Sequence, residues 1–229
     1  VEPAAARYDG ISDWYDETFS AEAYTEEHAF VREFLGAGEG APCLDVACGT
    51  GLHAAVLTGA GFRIVGVDLS ADQLRFARPR LPAAVRADAR QLPVRSEAVG
   101  AAVGMFFHTD VADFAAVIRD VARCLRPGGR LVYVGLHPCF LGPFVNRTAE
   151  SHDLALRFVA GYGQAGWANR GSGDGTGVGS RVGFHHKTLA SFLDAFTAPG
   201  LVVRAVREIS GGGVILPRNI GILAQKAAA

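Results

Sequence analysis

Three carboxylates and one glycine turn carry the chemistry that can be read from this chain. In Cys43-Leu-Asp-Val-Ala-Cys-Gly-Thr-Gly51, the residues Leu44, Val46 and Ala47 read as the end of a buried strand. Gly49, Thr50 and Gly51 turn the chain, and residues 52–57 open a helix. A strand that turns on glycines into a helix aims backbone N–H groups and a positive helix end at a ligand. The run Gly49-x-Gly51-x-x-Ala54 also satisfies the loose dinucleotide fingerprint, so the turn alone leaves the cofactor open. Asp68 ends a second apolar segment seventeen positions beyond Gly51. A carboxylate placed there can accept both hydroxyls of a ribose. It could instead cap the following helix, but Ser70 fills that position better. Asp88 tips a third such segment, and Asp45 stands four residues before Gly49.

The elements that must hold these residues alternate. Apolar segments at residues 43–47, 62–68, 84–89, 101–107 and 130–136 are separated by helical patterns, of which residues 113–125 form the clearest. Nearly continuous apolar strands between helices imply a parallel sheet covered on both faces, hence an α/β doubly wound fold. Ligands on such sheets bind outside the strand carboxyl ends, near the point where strand order reverses. Asp45 and its turn, Asp68, Asp88, residues 106–108 and His137 all fall at those ends. Residues 201–209 and 220–225 read as a closing antiparallel pair.

Two regions flank this frame within a single domain spanning 1–229. Residues 1–40 form an N-terminal segment and helix. The helix has Ser20 as its expected N-cap and Tyr24, Phe30, Val31, Phe34 and Leu35 as its apolar stripe. Before it, Tyr8-Asp-Gly-Ile-Ser-Asp-Trp-Tyr15-Asp sets aromatic and acidic residues side by side, either as a loose terminus or as a lid. Residues 138–185 break the rhythm and read as a cap insertion. A helix is expected over 148–162, then a stretch at 161–183 with nine glycines, then a helix over 186–196.

Composition narrows the function. A net charge of −1 gives no electrostatic case for nucleic acid or an anionic membrane surface as partner. The longest uncharged apolar run, residues 98–107, is too short to span a bilayer. Cys43, Cys48, Cys124 and Cys139 lack C-x-x-C spacing and read as small reduced thiols. No charged-then-apolar segment opens the residues given, so a cytoplasmic location is the expectation. Composition says nothing of oligomeric state.

A pyrophosphate is poorly served by a turn beset with carboxylates. A ligand with a ribose and a cationic amino acid end, such as S-adenosylmethionine, suits Asp45, Asp68 and Asp88 better. Here the chain resembles the class I S-adenosylmethionine-dependent methyltransferases, in particular the methyltransferase type 11 or UbiE-like group. Four ordered motifs carry the resemblance: Leu44-Asp-Val-Ala-Cys-Gly-Thr-Gly51, Val65-Gly-Val-Asp-Leu-Ser70, Ala87-Asp-Ala-Arg-Gln-Leu-Pro93 and Val121-Ala-Arg-Cys-Leu-Arg-Pro-Gly-Gly129. The resemblance implies a Rossmann-like seven-stranded sheet, mostly parallel, with the last strand inserted antiparallel. It implies that Asp45, Ala47, Gly49 and Gly51 hold the methionine part of the cofactor, and that Asp68 holds the ribose. Leu69 would then flank the adenine, Asp88 and Ala89 would bond it, Met105 would pass beneath the sulfonium, and Tyr15 would cover it. Two departures weaken transfer of acceptor-site detail. Val99-Gly100 stands where the group often has Phe-Asp, and Thr109-Asp110 stands where it often has a His pair.

Methyl transfer from a sulfonium is an in-line displacement, so the protein must align the reacting atoms and exclude water. A base is needed only when the acceptor loses a proton. His108 and His137, each just beyond a strand end, are the candidate catalytic residues, since imidazole titrates near neutral pH. Equally, each could be a hydrogen-bonded polar residue at a strand end. No metal-ligand spacing accompanies them. Phe106, Phe107, Trp167 and His185 are the candidate acceptor contacts, with Phe140, Phe144, Tyr162 and Phe184 as further walls if the cap folds over. The acceptor expected is a small apolar or aromatic metabolite, possible in secondary metabolism, methylated on oxygen, nitrogen or carbon. Two other readings compete: an NAD(P)-dependent oxidoreductase, and a non-catalytic cofactor-binding partner subunit.

Overall fold

The structure, a computed structural model, describes residues 6–148, 155–158, 161–168, 177–197, 200–210 and 216–228. In chain order the first elements are α1 (Ser12–Thr18), α2 (Thr25–Leu35), β1 (Pro42–Val46), α3 (Ala54–Gly59), β2 (Arg63–Asp68), α4 (Ala71–Ala77) and β3 (Ala83–Arg86). There follow β4 (Val99–Met105), α5 (Phe114–Cys124), β5 (Leu125–Leu136), β6 (Val145–Thr148), β7 (Ala155–Phe158) and β8 (Gly166–Ala168). Last come α6 (Val178–Val182), β9 (Phe184–His186), α7 (Leu189–Ala195), β10 (Leu201–Ile209) and β11 (Asn219–Lys226).

Seven strands form one sheet in the order β10-β11-β5-β4-β1-β2-β3. Strands β3, β2, β1, β4 and β5 run parallel, and β11 lies antiparallel between β5 and β10. The expected doubly wound sheet with an inserted antiparallel last strand is therefore present. The order reverses between β1 and β4, which opens a crevice at their carboxyl ends.

Each face of the sheet is closed by residues whose spacing is helical. On one side Phe114, Val117, Ile118 and Val121 of α5 pack with Phe192 and Phe196, around the buried Tyr133 ring. On the other, Phe30, Val31 and Leu35 of α2 join Leu57 and Leu74 over Ile64 and Val132. Burying a side chain of this size contributes about 1.5–3 kcal/mol, so the two layers fix where every strand ends. Caps add precision at the site. Ser70 accepts the Gln73 N–H at 3.1 Å, and Asp113 accepts the Ala116 N–H at 2.9 Å, so both helices start next to a strand tip.

Three local expectations are corrected. The backbone of residues 145–148 pairs antiparallel with that of residues 155–158, where a helix over 148–162 was expected. The apolar positions 154, 156 and 158 fit a two-residue strand period as well as a helical one. Residues 149–154 and 159–160 of that expected helix, and 169–176 of the glycine-rich stretch, lie outside the described residues. The segment expected as a helix over 186–196 begins as β9, and α7 starts only after Thr188 accepts the Ser191 N–H at 3.2 Å. Ser20 precedes a short 3₁₀ turn and makes no side-chain cap, and α2 begins at Thr25.

Candidate functional site

A cavity of about 330 Å³ lies at the carboxyl ends of β1, β2 and β4 and beyond β3, where the strand order reverses. Its floor is backbone bent sharply by the sequence. Ala47 beyond β1 and Phe106 beyond β4 hold φ of 55° and 60°, a region that non-glycine residues seldom occupy. Such conformations persist where the surrounding fold fixes them, and they gather at ligand sites. Gly49 and Gly51 take φ of 56° and 75°, which explains both glycines. A side chain at Gly51 would also meet the α4 backbone, 3.3 Å from Ala77 Cα.

Asp68 organises this floor. Its Oδ2 accepts the Gly49 N–H and its Oδ1 accepts the Ser70 N–H, both at 2.8 Å. Each oxygen keeps lone-pair capacity toward the cavity, which a vicinal diol can use. Burial raises the Asp68 pKa, opposed by these backbone bonds. Asp45, in the body of β1 and only 4% exposed, lies behind the wall rather than in it. Burial, helped by the nearby Asp68, pushes its carboxyl up to about 7. Two crowded carboxylates at one end of a cavity favour a cationic ligand and oppose a phosphate. Asp88 also lines the cavity, but its carboxylate is chelated by Arg90, whose Nη2 donates at 2.6 Å and Nε at 3.0 Å. Those bonds lower its pKa.

The N-terminal aromatic–acidic stretch forms one side of the cavity. Tyr8 and Tyr15 stand in its wall, edge to face with centroids 5.6 Å apart. The acids between them face the other way, onto α4. Asp9 accepts from the Ser70 hydroxyl, Asp72 accepts the Gly10 N–H at 2.7 Å, and Gln73 donates to the Ser12 hydroxyl at 3.2 Å. Asp13 pairs with Arg75 at 3.0 Å, and Asp16 with Arg80 at 2.8 Å. The mixed composition of residues 8–16 thus has two jobs, one for each side of the segment.

The residues expected at the site separate into two sets. Tyr15, Ala47, Gly49, Asp68, Leu69, Asp88, Ala89, Met105, Phe106, Phe107 and His185 line the cavity. Asp45 and Gly51 sit just behind it. His108 and His137 are not in the wall. His108 is buried, its N–H donates to the Tyr133 hydroxyl at 3.0 Å, and that hydroxyl lies 2.9 Å from His108 Nδ1. Burial lowers its pKa well below the usual range. His137 donates from Nε2 to Glu208 at 3.0 Å and accepts the Cys139 N–H on Nδ1 at 3.1 Å, with the Phe140 ring packed against it at a tilt. Both side chains are held by structural partners beyond the strand ends. Trp167, 48% exposed, lies outside the wall and rests on Arg7 and His185. Phe140, Phe144, Tyr162 and Phe184 are also absent from the wall; Phe144 packs on His186 and Tyr162.

Sequence reasoning missed the polar group at the other end of the cavity. Asp110 accepts the Tyr8 hydroxyl on Oδ2 at 3.3 Å, while Arg7 donates to the His185 Nε2 at 3.0 Å. Lys187 spans behind them, donating to the carbonyls of His108 at 2.8 Å and Val111 at 2.7 Å. Asp110 signalled itself only as an acid just past a strand tip, the same feature that drew attention to Asp68 and Asp88. Among the described residues, no group of three or more His, Cys, Asp or Glu side chains is arranged to hold a metal ion. Nor is any described helix long and apolar enough to cross a membrane.

The chain is similar to known proteins. Residues 44–133 match the family described as a methyltransferase domain. The demethylmenaquinone methyltransferase of Mycobacterium marinum is 33% identical over 131 residues, covering 56% of this chain and 57% of that protein. The chain thus spans little more than half the length of the curated relatives it matches. A S-adenosylmethionine dependent methyltransferase from Mesorhizobium loti superposes with a TM-score of 0.71 at 21% identity, over 89% of this chain and 98% of that one. Geranyl diphosphate C-methyltransferase from Streptomyces coelicolor A3(2), crystallised with S-adenosyl-L-homocysteine, gives 0.63 at 16%, over 89% and 76%. At those identities the two structures speak for the fold. The resemblance carried by the sequence motifs holds over the matched residues.

Proposed function

We propose that this chain, with its methyltransferase-type domain at residues 44–133, is a S-adenosylmethionine-dependent methyltransferase acting on a small apolar or aromatic acceptor. The observation that carries the reading is the acidic cavity at the switch point, with Asp68 fixed in its wall by two backbone N–H groups. The residues present fit the cofactor. Asp68 is a bidentate acceptor suited to the ribose hydroxyls. Leu69, Asp88 and Ala89 line the part of the wall suited to adenine, with the Asp88 oxygens already engaged by Arg90. Ala47 and Gly49 approach with backbone only, and Asp45 adds negative charge behind them, toward a cationic amino acid end. Tyr15 and Met105 complete the walls.

When bound, S-adenosylmethionine supplies an activated methyl group on a sulfonium. The chain's own contribution is to orient the acceptor and exclude water. Phe106 and Phe107, on the bent backbone beyond β4, give that side an apolar surface, and His185 and Tyr8 add polar atoms. The N-terminal segment, stapled to α4, acts as the lid. A cavity of about 330 Å³ suits a small molecule, and the relative named for demethylmenaquinone supports that class of acceptor. Crowded carboxylates weigh against a dinucleotide, and with it the oxidoreductase reading.

Titration calorimetry with S-adenosylhomocysteine, and separately with NAD and NADP, tests the assignment. Saturable binding of the first alone is expected. A thermal shift with a nicotinamide dinucleotide and none with S-adenosylhomocysteine would overturn it. Stoichiometric binding without turnover over a broad acceptor panel would favour a partner-subunit role.

A further inference from the structure

Beyond the cofactor residues, the cavity wall holds one further carboxylate, with no assigned task. Asp110 is half-buried in the wall, five residues after the end of β4, and its Oδ2 is fixed by the Tyr8 hydroxyl at 3.3 Å. Its Oδ1 takes no hydrogen bond among the described residues. The other carboxylates and the histidine of the wall are committed. Asp68 holds two backbone N–H groups, Asp88 is chelated by Arg90, and His185 Nε2 accepts from Arg7. His108 and His137 are engaged outside the wall.

We infer that Asp110 is the proton acceptor for a hydroxyl-bearing methyl acceptor, a reading that rests on the methyl transfer proposed above. The hydroxyl O–H bond breaks and its proton moves to Asp110 Oδ1. The electron pair of that bond forms the O–CH₃ bond, while the methyl–sulfur bond breaks with its pair left on sulfur. The proton then leaves to solvent, restoring the carboxylate. The surroundings suit the task. Burial pushes the Asp110 carboxyl up to about 7, with Asp68 of β2 adding to the rise. Tyr8 and Arg7 from the lid and Lys187 ahead of α7 oppose it. A base that ionises near neutral pH balances availability against proton affinity. Transfer to a hydroxyl should therefore rise with pH through about 7 and then level.

The test compares the full wild-type chain with Asp110→Asn, which keeps the shape and the Tyr8 contact. Affinity for S-adenosylhomocysteine, read by calorimetry, should stay within a few-fold. Transfer to 4-methylphenol, protonated at neutral pH, should fall about 100-fold or more. Transfer to pentafluorophenol, already ionised there, should be largely retained in the variant. Equal losses on both phenols would indicate a structural role and overturn the inference. So would methylation of amines or thiols with no transfer to any phenol. A readout free of turnover is the ¹³C carboxyl titration of aspartate-labelled protein, with the Asp110 signal identified by its loss in the variant. A midpoint near 7 is expected, and an ordinary carboxylate midpoint overturns the proposal whatever the phenols do. Failure of the wild type to bind S-adenosylhomocysteine would instead remove the methyltransferase reading.

Discussion

Asp68 Oδ2 accepts the Gly49 N–H at 2.8 Å, so the tip of β2 holds in place the turn that follows β1. One side chain thereby shapes the glycine turn and presents oxygens to the cavity. Asp68→Ala should weaken binding of S-adenosylmethionine by about 1.5–3 kcal/mol, the range for losing hydrogen bonds to a charged group. Asp68→Asn, which keeps one acceptor oxygen, should cost less. Calorimetry decides between them, and unchanged affinity in the alanine variant would refute the ribose role.

Asp45 should make the ligand-free protein less stable as pH rises. Its carboxyl, near 3.9 when unfolded, is pushed up to about 7 by burial and by Asp68. Between those values the folded state binds more protons than the unfolded one, so stability is present in acid and declines as pH rises through 7. Asp110 adds the same sign. Asp45→Asn should therefore raise unfolding free energy at pH 8 by on the order of 1–3 kcal/mol and flatten the pH dependence. The same variant should lose affinity for the cationic cofactor. Denaturant melts at pH 5 and pH 8 read the first effect. A wild-type protein more stable at pH 8 than at pH 5, with Asp45→Asn unchanged, would contradict it.

The sheet and the cavity at its carboxyl end were legible because their signals are local. Leu44 and Val46 are buried where a continuous apolar run said they would be, and Ser70 caps α4 as its type and position required. Asp68 and Ala47 reached the cavity for the same reason, since a strand tip in a doubly wound sheet has one place to go. The end of the cavity around Asp110 was not legible in this way. Asp110 meets Tyr8 across 102 positions, and Arg7 meets His185 across 178, so no spacing rule joins them. His108 misled because a strand-end position specifies the backbone and leaves the side chain's direction to its neighbours. Tyr133 on the adjacent strand β5 supplies a buried hydroxyl that claims the imidazole. The cap misled through periodicity, where alternation and helical spacing coincide over a few residues.

Arg80 joins three parts of the site. It pairs with Asp16 of the N-terminal segment, donates to the Thr50 carbonyl in the glycine turn at 3.1 Å, and follows the end of α4. Because the pair is partly exposed, its loss should cost global stability under about 1 kcal/mol. Its local effect should be larger, since Arg80 is the residue that ties the C-terminal half of α1 both to the end of α4 and to the glycine turn. Arg80→Ala should speed amide exchange over residues 8–19 and weaken S-adenosylhomocysteine binding several-fold, with little change in melting temperature. Exchange limited to the wild-type rate in that segment would show that Asp9, Ser12 and Asp13 suffice to hold it.

Tyr133 separates the structural histidine from the proposed base. Its hydroxyl is buried, accepts the His108 N–H at 3.0 Å and faces Nδ1 at 2.9 Å. Tyr133→Phe keeps the ring among Phe107, Phe114 and Phe192 but leaves a backbone N–H and an imidazole nitrogen without that partner. The expected loss of stability is about 1–3 kcal/mol. Burial already keeps His108 neutral well above its own pKa, so freeing its Nδ1 should not create a group that titrates near 7. The acid limb of the pH–rate profile should therefore stay where Asp110 sets it. Measured side by side, a destabilised Tyr133→Phe with an unmoved acid limb places His108 in the scaffold. A limb that shifts with this variant and persists in Asp110→Asn would return the proton to His108.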